Sequence, residues 1–247
     1  MSSSLLGFAL ILTRISGFFL ILPVFGWSAI PIRIKVSVAI LLSLFFCACK
    51  PLGVMAAETS WPMATILVVG EALYGLALGL IVTLLFSVVR VSMLIAEQQM
   101  GLTMSEIVDP LSGEQSGALS SLMEMVFILL FLSANGHHLF LHVLSKSYDA
   151  FPPGTIPTLG LIVEGVVGTS SVMFAASLRL AAPLLGAFLI LMVALALLSR
   201  LVPEMDIFMT SIPARVGLGL FLVAAFMPFI AGYVTEMADW MARLLPI

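Results

Sequence analysis

All three histidines of this chain stand in one short run, NGHHLFLH, as His137, His138 and His142. His138 and His142 are four residues apart, a spacing that places two imidazoles on one helix face, within reach of one metal ion. A metal centre needs further ligands, and no HExxH glutamate lies between them, nor any neighbouring Cys or Asp. The run therefore reads as a polar helix end near a membrane interface, and no metal or cofactor is expected. Nucleophilic and phosphate chemistry lack their patterns too. There is no G-x-S-x-G elbow, no P-loop, no G-x-G-x-x-G after a strand, and no Ser–His or paired-Asp arrangement suited to an intramembrane protease. The chain reads as a non-enzyme.

A second set of candidates is defined by where its charges fall. Arg14, Glu71, Glu124, Glu164 and Arg179 all lie within apolar runs, where a charge is costly unless it has a partner or a task. One reading is an ion pathway, with Glu71 and Glu164 as the coupling groups of a secondary transporter. The other is pairing between helices or with polar groups of another subunit, helped at segment ends by snorkelling. No repeated acidic motif marks a proton relay, which favours pairing. Which charges pair is not encoded in their spacing.

The elements that must hold these residues follow from composition. Of 247 residues, 62% are hydrophobic and 9% are charged, far from the roughly 45–50% apolar content of a soluble domain. The apolar runs are Leu5–Leu22, Val36–Cys49, Met63–Val89, Leu122–Leu141, Leu159–Leu178, Leu180–Ser199 and Val216–Val234. Backbone groups in lipid must be satisfied internally, by helices or a closed barrel. These Leu/Ala/Val-rich runs show no period-two alternation, so the fold class is all-α: a polytopic helical membrane protein. The second run is short for a span. The fifth and sixth are joined through SLRLAAPLL, which has no turn residues, and a long helix kinked near Pro183 is expected. The tail TEMADWMARLL is expected as a short amphipathic helix. Leu5–Leu22 lacks the basic approach of a signal peptide and carries Arg14 inside it, so it is expected to remain in the mature chain. Basic residues are too thinly spread to set an orientation by the positive-inside rule.

The net charge of −3 and the absence of a Lys/Arg run give no basis for nucleic-acid binding. Cys47 and Cys49 read as small packing residues. Gly75 and Gly79 form a small-xxx-small step for close helix approach, within this chain or against a neighbouring subunit. The chain has no internal repeat and reads as one domain, 1–247. Its most polar stretch, DPLSGEQSG at 109–117, is flanked by Met93, Met100, Met104, Met123 and Met125. Those methionines either fill a core or form a soft lining around a passage.

Five stretches, in order, resemble one family: the FliR/SctT-type membrane subunit of the type III protein export gate. They are PVFGWSAIPIRIK (23–35), EQQMGLTMSEIVDPLSG (97–113), NGHHLFLHVLSKSYDAFPPG (135–154), SLRLAAPLL (177–185) and RLVPEMDIFMTSIPAR (200–215). Asp206 stands where the family commonly has Asn. The NGHH and FPPG wording is closer to the flagellar branch than to the injectisome branch. The resemblance implies a non-enzymatic subunit of the inner-membrane flagellar basal body. Its implied partners are P-type and Q-type subunits in a helical cone, and the export-switch (FlhB-type) and large export-gate (FlhA-type) membrane proteins. Unfolded secreted proteins and lipid complete the set. It also implies a P-like part, about 1–179, followed by a Q-like helical hairpin, about 180–247. In the family a loop between the central helices projects into the pore and helps to plug it. By position that loop is the 106–121 region, with Glu106, Asp109, Pro110, Ser112, Gly113, Glu114, Gln115 and Gly117. Met100, Met104, Met123 and Met125 stand as the seal around it. A Gly/Ser/Pro loop can be displaced without unfolding a helix, and methionines conform to varied cargo.

Overall fold

The computed structural model describes residues 3–26, 30–49, 60–102, 117–155, 157–202 and 207–244. Eight helices occur among them: α1 (Ser3–Ile21), α2 (Pro23–Gly26), α3 (Ile32–Cys49), α4 (Trp61–Met100), α5 (Ala118–Ser133), α6 (His137–Ala150), α7 (Leu159–Leu201) and α8 (Ile207–Leu244). No strand is found among the described residues. The chain is an all-α polytopic membrane protein, as its apolar runs require. α3, α4, α7 and residues 211–230 of α8 are each long and apolar enough to cross a bilayer.

Four boundaries refine the sequence reading. The short second run gains its missing length from its flank, because α3 begins at Ile32 and reaches 18 residues. The fifth and sixth runs form the single helix α7, with Pro183 inside it. The tail is not a separate short helix: α8 runs through it to Leu244. The fourth run, expected as one segment, is broken at Ala134–Gly136, where Asn135 takes a left-handed φ of 59°. Asn tolerates that conformation better than most side chains, and Gly136 follows as the N-cap of α6.

Helix length adds a constraint. α4, α7 and α8 have 40, 43 and 38 residues. At 1.5 Å per residue each extends to about 55–65 Å, against a hydrocarbon core of roughly 30 Å. Much of their apolar surface therefore needs protein, not lipid, as its neighbour.

The residues group into two units, and α4, α7 and α8 contribute to both. The first comprises 1–85, 135–171 and 237–247. In it α1 packs against α2 and α3, and Leu6, Leu10 and Leu67 form a buried cluster with Ala64 and Val68. The approach of α1 to α4 is set by glycine. A Cβ on Gly75 would overlap the Arg14 carbonyl oxygen, one on Gly79 would lie 2.7 Å from the Phe18 carbonyl, and one on Gly17 would lie 2.9 Å from the Ala72 carbonyl. Thr83 Oγ1 then donates across to the Ile21 carbonyl at 3.0 Å. The Gly75/Gly79 step is thus occupied by a helix of the same chain.

The second unit comprises 86–134 and 172–236. Phe86 packs edge-on against Phe127 and Phe131, with ring centroids 5.4 and 4.8 Å away, and Phe127 meets Tyr233 at 5.6 Å. Ser87 Oγ donates to Met173 Sδ at 3.1 Å.

The glycine seam generates a direct prediction. Gly75→Ala forces α1 and α4 apart and costs about 1–3 kcal/mol, the usual range for overpacking. Gly160→Ala, where an added Cβ meets nothing within 4 Å, leaves stability unchanged or slightly raised. Thermal unfolding of the two variants in the same detergent checks the contrast.

Candidate functional site

The largest fully buried side chain of the first unit is Arg14, on α1. Its Nε donates to Oε2 of Glu71, on α4, at 2.6 Å. Glu71 is itself 1% exposed, and its other oxygen, Oε1, accepts the Gly154 N–H at 2.8 Å. Arg14 Nη1 donates to the Ser147 carbonyl at 3.0 Å and to the Phe151 carbonyl at 2.9 Å. These acceptors lie at the C-terminal end of α6, where the helix dipole favours a cation; the Ser147 carbonyl also accepts the Phe151 N–H at 3.0 Å. Tyr148 and Tyr74 lie with ring centroids 4.5 and 4.9 Å from the guanidinium carbon, within cation–π range. The Tyr148 hydroxyl donates back to the Ile11 carbonyl at 3.1 Å.

Gly154 reaches Glu71 because the FPPG turn places it at φ 91°, a conformation that strongly favours glycine. One buried charge pair thereby joins α1, α4, α6 and the turn after α6.

In the second unit the polar centre is Glu97, 1% exposed on α4. Its carbonyl accepts the Leu102 N–H at 3.2 Å, and Gly101 N–H donates to the Gln98 carbonyl at 3.2 Å. With Gly101 at φ 79°, this is the Schellman pattern that ends a helix. The Glu97 side chain turns to the next helix, where Oε1 accepts the Leu119 N–H at 2.6 Å. A Cβ on Gly117 would overlap the Glu97 carboxylate. Met100, fully buried, packs its side chain against Gly219 of α8 in the same way.

The expected site residues sort as follows. Arg14 and Glu71 pair with each other. Glu124 lies 3.7 Å from Arg90, which is half exposed. Arg179, on an exposed face in the middle of α7, lies 3.3 Å from Glu236 of α8. Glu164 is exposed on α7. Met93, Met100 and Met123 are buried, whereas Met125 is exposed. Gly117 is the N-cap of α5. Met104, Glu106, Asp109, Pro110, Ser112, Gly113, Glu114, Gln115 and Asp206 lie outside the described residues. His137, His138 and His142 are exposed on α6. Among the described residues no three His, Cys, Asp or Glu gather as metal ligands.

Sequence reasoning missed Glu97 as a site of its own, along with Arg90, Glu236 and the backbone groups around Arg14. A signal for Glu97 existed. It shares a helical stripe with Met93 and Met100, so a carboxylate stands on an otherwise apolar face. The transporter reading of Glu71 is not favoured by its geometry, since both oxygens are engaged and buried.

Fold and site together define a polytopic helical membrane protein organised by a buried Arg–Glu pair. Residues 5–241 match the family model described as "Bacterial export proteins, family 1", and the chain belongs to that family. It is 30% identical over 223 residues to the flagellar biosynthetic protein FliR of Escherichia coli (strain K12), covering 90% of this chain and 85% of that one. It is 26% identical to FliR of Bacillus subtilis (strain 168), covering 90% and 86%. It is also 27% identical to the surface presentation of antigens protein SpaR of Salmonella typhimurium, covering 90% and 81%.

Removing one member of a buried ion pair strands the other, at a cost of about 3–5 kcal/mol. Arg14→Leu should therefore be among the most destabilising substitutions in the chain, leaving Glu71 as a buried carboxylate without its counter-charge and taking the guanidinium donor from the Phe151 carbonyl. Glu71→Gln, which keeps an acceptor for the Gly154 amide, should cost clearly less than Glu71→Leu. Denaturation in detergent should return the order Arg14→Leu, Glu71→Leu, Glu71→Gln from worst to mildest. Equal stability of all three would remove the pair from the fold's foundations.

Proposed function

We propose that this chain is a non-enzymatic subunit of the flagellar type III protein export gate, seated in the bacterial inner membrane within the basal body. The observation that carries the reading is the family match over residues 5–241, in which the relatives compared above are flagellar FliR proteins and one SpaR. The presence of SpaR supports the injectisome gate as the second reading, and the flagellar wording of NGHH and FPPG supports the first.

Under this reading the partners are P-type and Q-type subunits, with the FlhB-type switch and the FlhA-type gate protein nearby. The cargo is unfolded secreted protein. Helix length supports such an assembly. Only 17% of the most apolar stretch of α7 and 11% of that of α8 is buried within the chain, so those helices present long apolar faces to neighbours. Residues from about 180 onward then form the Q-like hairpin, with 1–179 as the P-like part.

The region 106–121 then serves as the plug, with Met104 and the exposed Met125 offered to the passage. Met100 and Met123 are buried beside its roots. A passage for unfolded chains of varied sequence must close against ions and still yield. A Gly/Ser/Pro segment between two rigid helices suits that demand.

Gly117 belongs to the start of α5, so the cleanest test shortens the segment without it. In the assembled gate reconstituted in planar bilayers, deletion of Ser112–Ser116 should leave subunit composition unchanged and raise ion conductance. Equal, low conductance of wild type and deletion would defeat the plug assignment.

A further inference from the structure

α7 and α8 are each longer than a bilayer is thick, and apolar content alone does not say which part of them meets lipid. Their charges do. On α7 the residues between Arg179 and Arg200 carry no charge, and they number 20. On α8 the residues between Arg215 and Glu236 carry none either, and they also number 20. At about 1.5 Å per residue each interval spans about 30 Å, roughly the thickness of a bilayer's hydrocarbon core. We propose that 180–199 and 216–235 form the lipid-facing band of this chain, and that α7 before Arg179 lies outside the hydrocarbon.

The two intervals stand level with each other. Arg179 Nη1 lies 3.3 Å from Glu236 Oε1, a contact that requires α8 to run back along α7 after its start at Ile207. Equal rise on the two helices then sets Arg200 opposite Arg215. One rim of the band is the Arg179–Glu236 pair, whose side chains are 80% and 44% exposed. The other rim is Arg200, exposed, with Arg215, half-buried. Exposed charges are costly inside hydrocarbon, so both rims belong at headgroup level, where an arginine stem lies along apolar surface and its guanidinium stays in the polar layer. Arg215 Nε is enclosed without a hydrogen-bond acceptor, and among the described residues neither Arg200 nor Arg215 forms an ion pair. Lipid phosphate oxygens supply acceptors at that depth.

Between the rims the surface is apolar and uncovered, with Ile190 and Phe221 each 70% exposed. Val167 and Phe174, earlier on α7, are also exposed, but exposed Glu164 stands near them. A band extended to include them would place Arg179 in mid-hydrocarbon. On α8 the window 211–230, apolar enough to cross by composition, encloses Arg215, and a shift of five residues toward the C-terminus frees it. This placement does not depend on the plug assignment.

Nitroxide labels read the depth directly. Cys47 and Cys49 are changed to Ala, and Ile190→Cys, Phe221→Cys, Val167→Cys and Phe174→Cys are made singly in the full chain. Each is assembled with cysteine-free partner subunits and reconstituted in bilayers of phosphatidylcholine and phosphatidylglycerol. All four native side chains are exposed, so the labels replace no core contact, and complexes are compared at equal subunit composition. Power saturation measures collisions with oxygen, which concentrates among acyl chains, and with a nickel chelate, which stays in water. At 190 and 221 nickel collisions should be lost while oxygen collisions stay high. At 167 and 174 that signature should be absent. Shielding of 190 and 221 from both reagents would mean that protein covers the band, and access of nickel to them would mean that water does. Either result overturns the proposal. An acyl-chain signature at 167 and 174 overturns it equally, because the band would then not be bounded by Arg179.

Discussion

A guanidinium enclosed by apolar helices has to be given a counter-charge and hydrogen-bond acceptors before anything around it can pack. Desolvating an ion costs several kcal/mol even after relaxation, so Arg14 imposes its requirements on three other elements. α4 must bring Glu71 to within 2.6 Å. α6 must end where its last carbonyls meet Nη1. The FPPG turn must fold back so that the Gly154 amide takes the second Glu71 oxygen. Tyr74 and Tyr148 flank the cation. The first unit is organised from the inside by a polar centre, and the glycine seam between α1 and α4 brings the two charged residues close enough to meet.

The second unit solves a different problem with the same chemistry. There one buried residue, Glu97, serves two helix ends, its backbone carbonyl at the end of α4 and its carboxylate at the start of α5, where the helix dipole favours a negative charge. Elsewhere in that unit Phe86, Phe127, Phe131 and Tyr233 pack edge-on or tilted against one another. A family whose role is to let other polypeptides pass needs one part that stays fixed and another that can yield. Arg14 is held through Nε and Nη1 by three other elements, whereas the α5 start is held by one carboxylate.

Much of this was legible in the sequence. Apolar runs without alternation leave no choice but helices in lipid, and the lack of turn residues around Pro183 foretold the continuous α7. The Gly75/Gly79 spacing announced a close approach, although Gly17, isolated on α1, did not. Charges in apolar runs flagged Arg14 and Glu71, but their pairing is a contact between residues 57 apart, and no local pattern encodes it. The donors and acceptors completing that site are backbone groups, which every residue carries and which sequence therefore cannot single out. The break at Asn135 had its Asn-Gly signal, outweighed in the reading by the hydrophobic run on either side. Glu97 was hidden by its neighbours, since a carboxylate in a polar stretch looks solvated until the fold buries it.

The length of α7 and α8 also sets an order of events. A helix of 43 residues that is mostly apolar, in a bilayer half its length, is never well solvated on its own. Lipid covers one part and water meets the rest. The chain's solvation thus improves each time a neighbouring subunit arrives, and the orphan subunit is the least comfortable species. Assembly is then favoured by relief of exposed apolar surface as much as by specific contacts, and an unassembled copy carries on its surface the mark by which a cell can recognise it as incomplete.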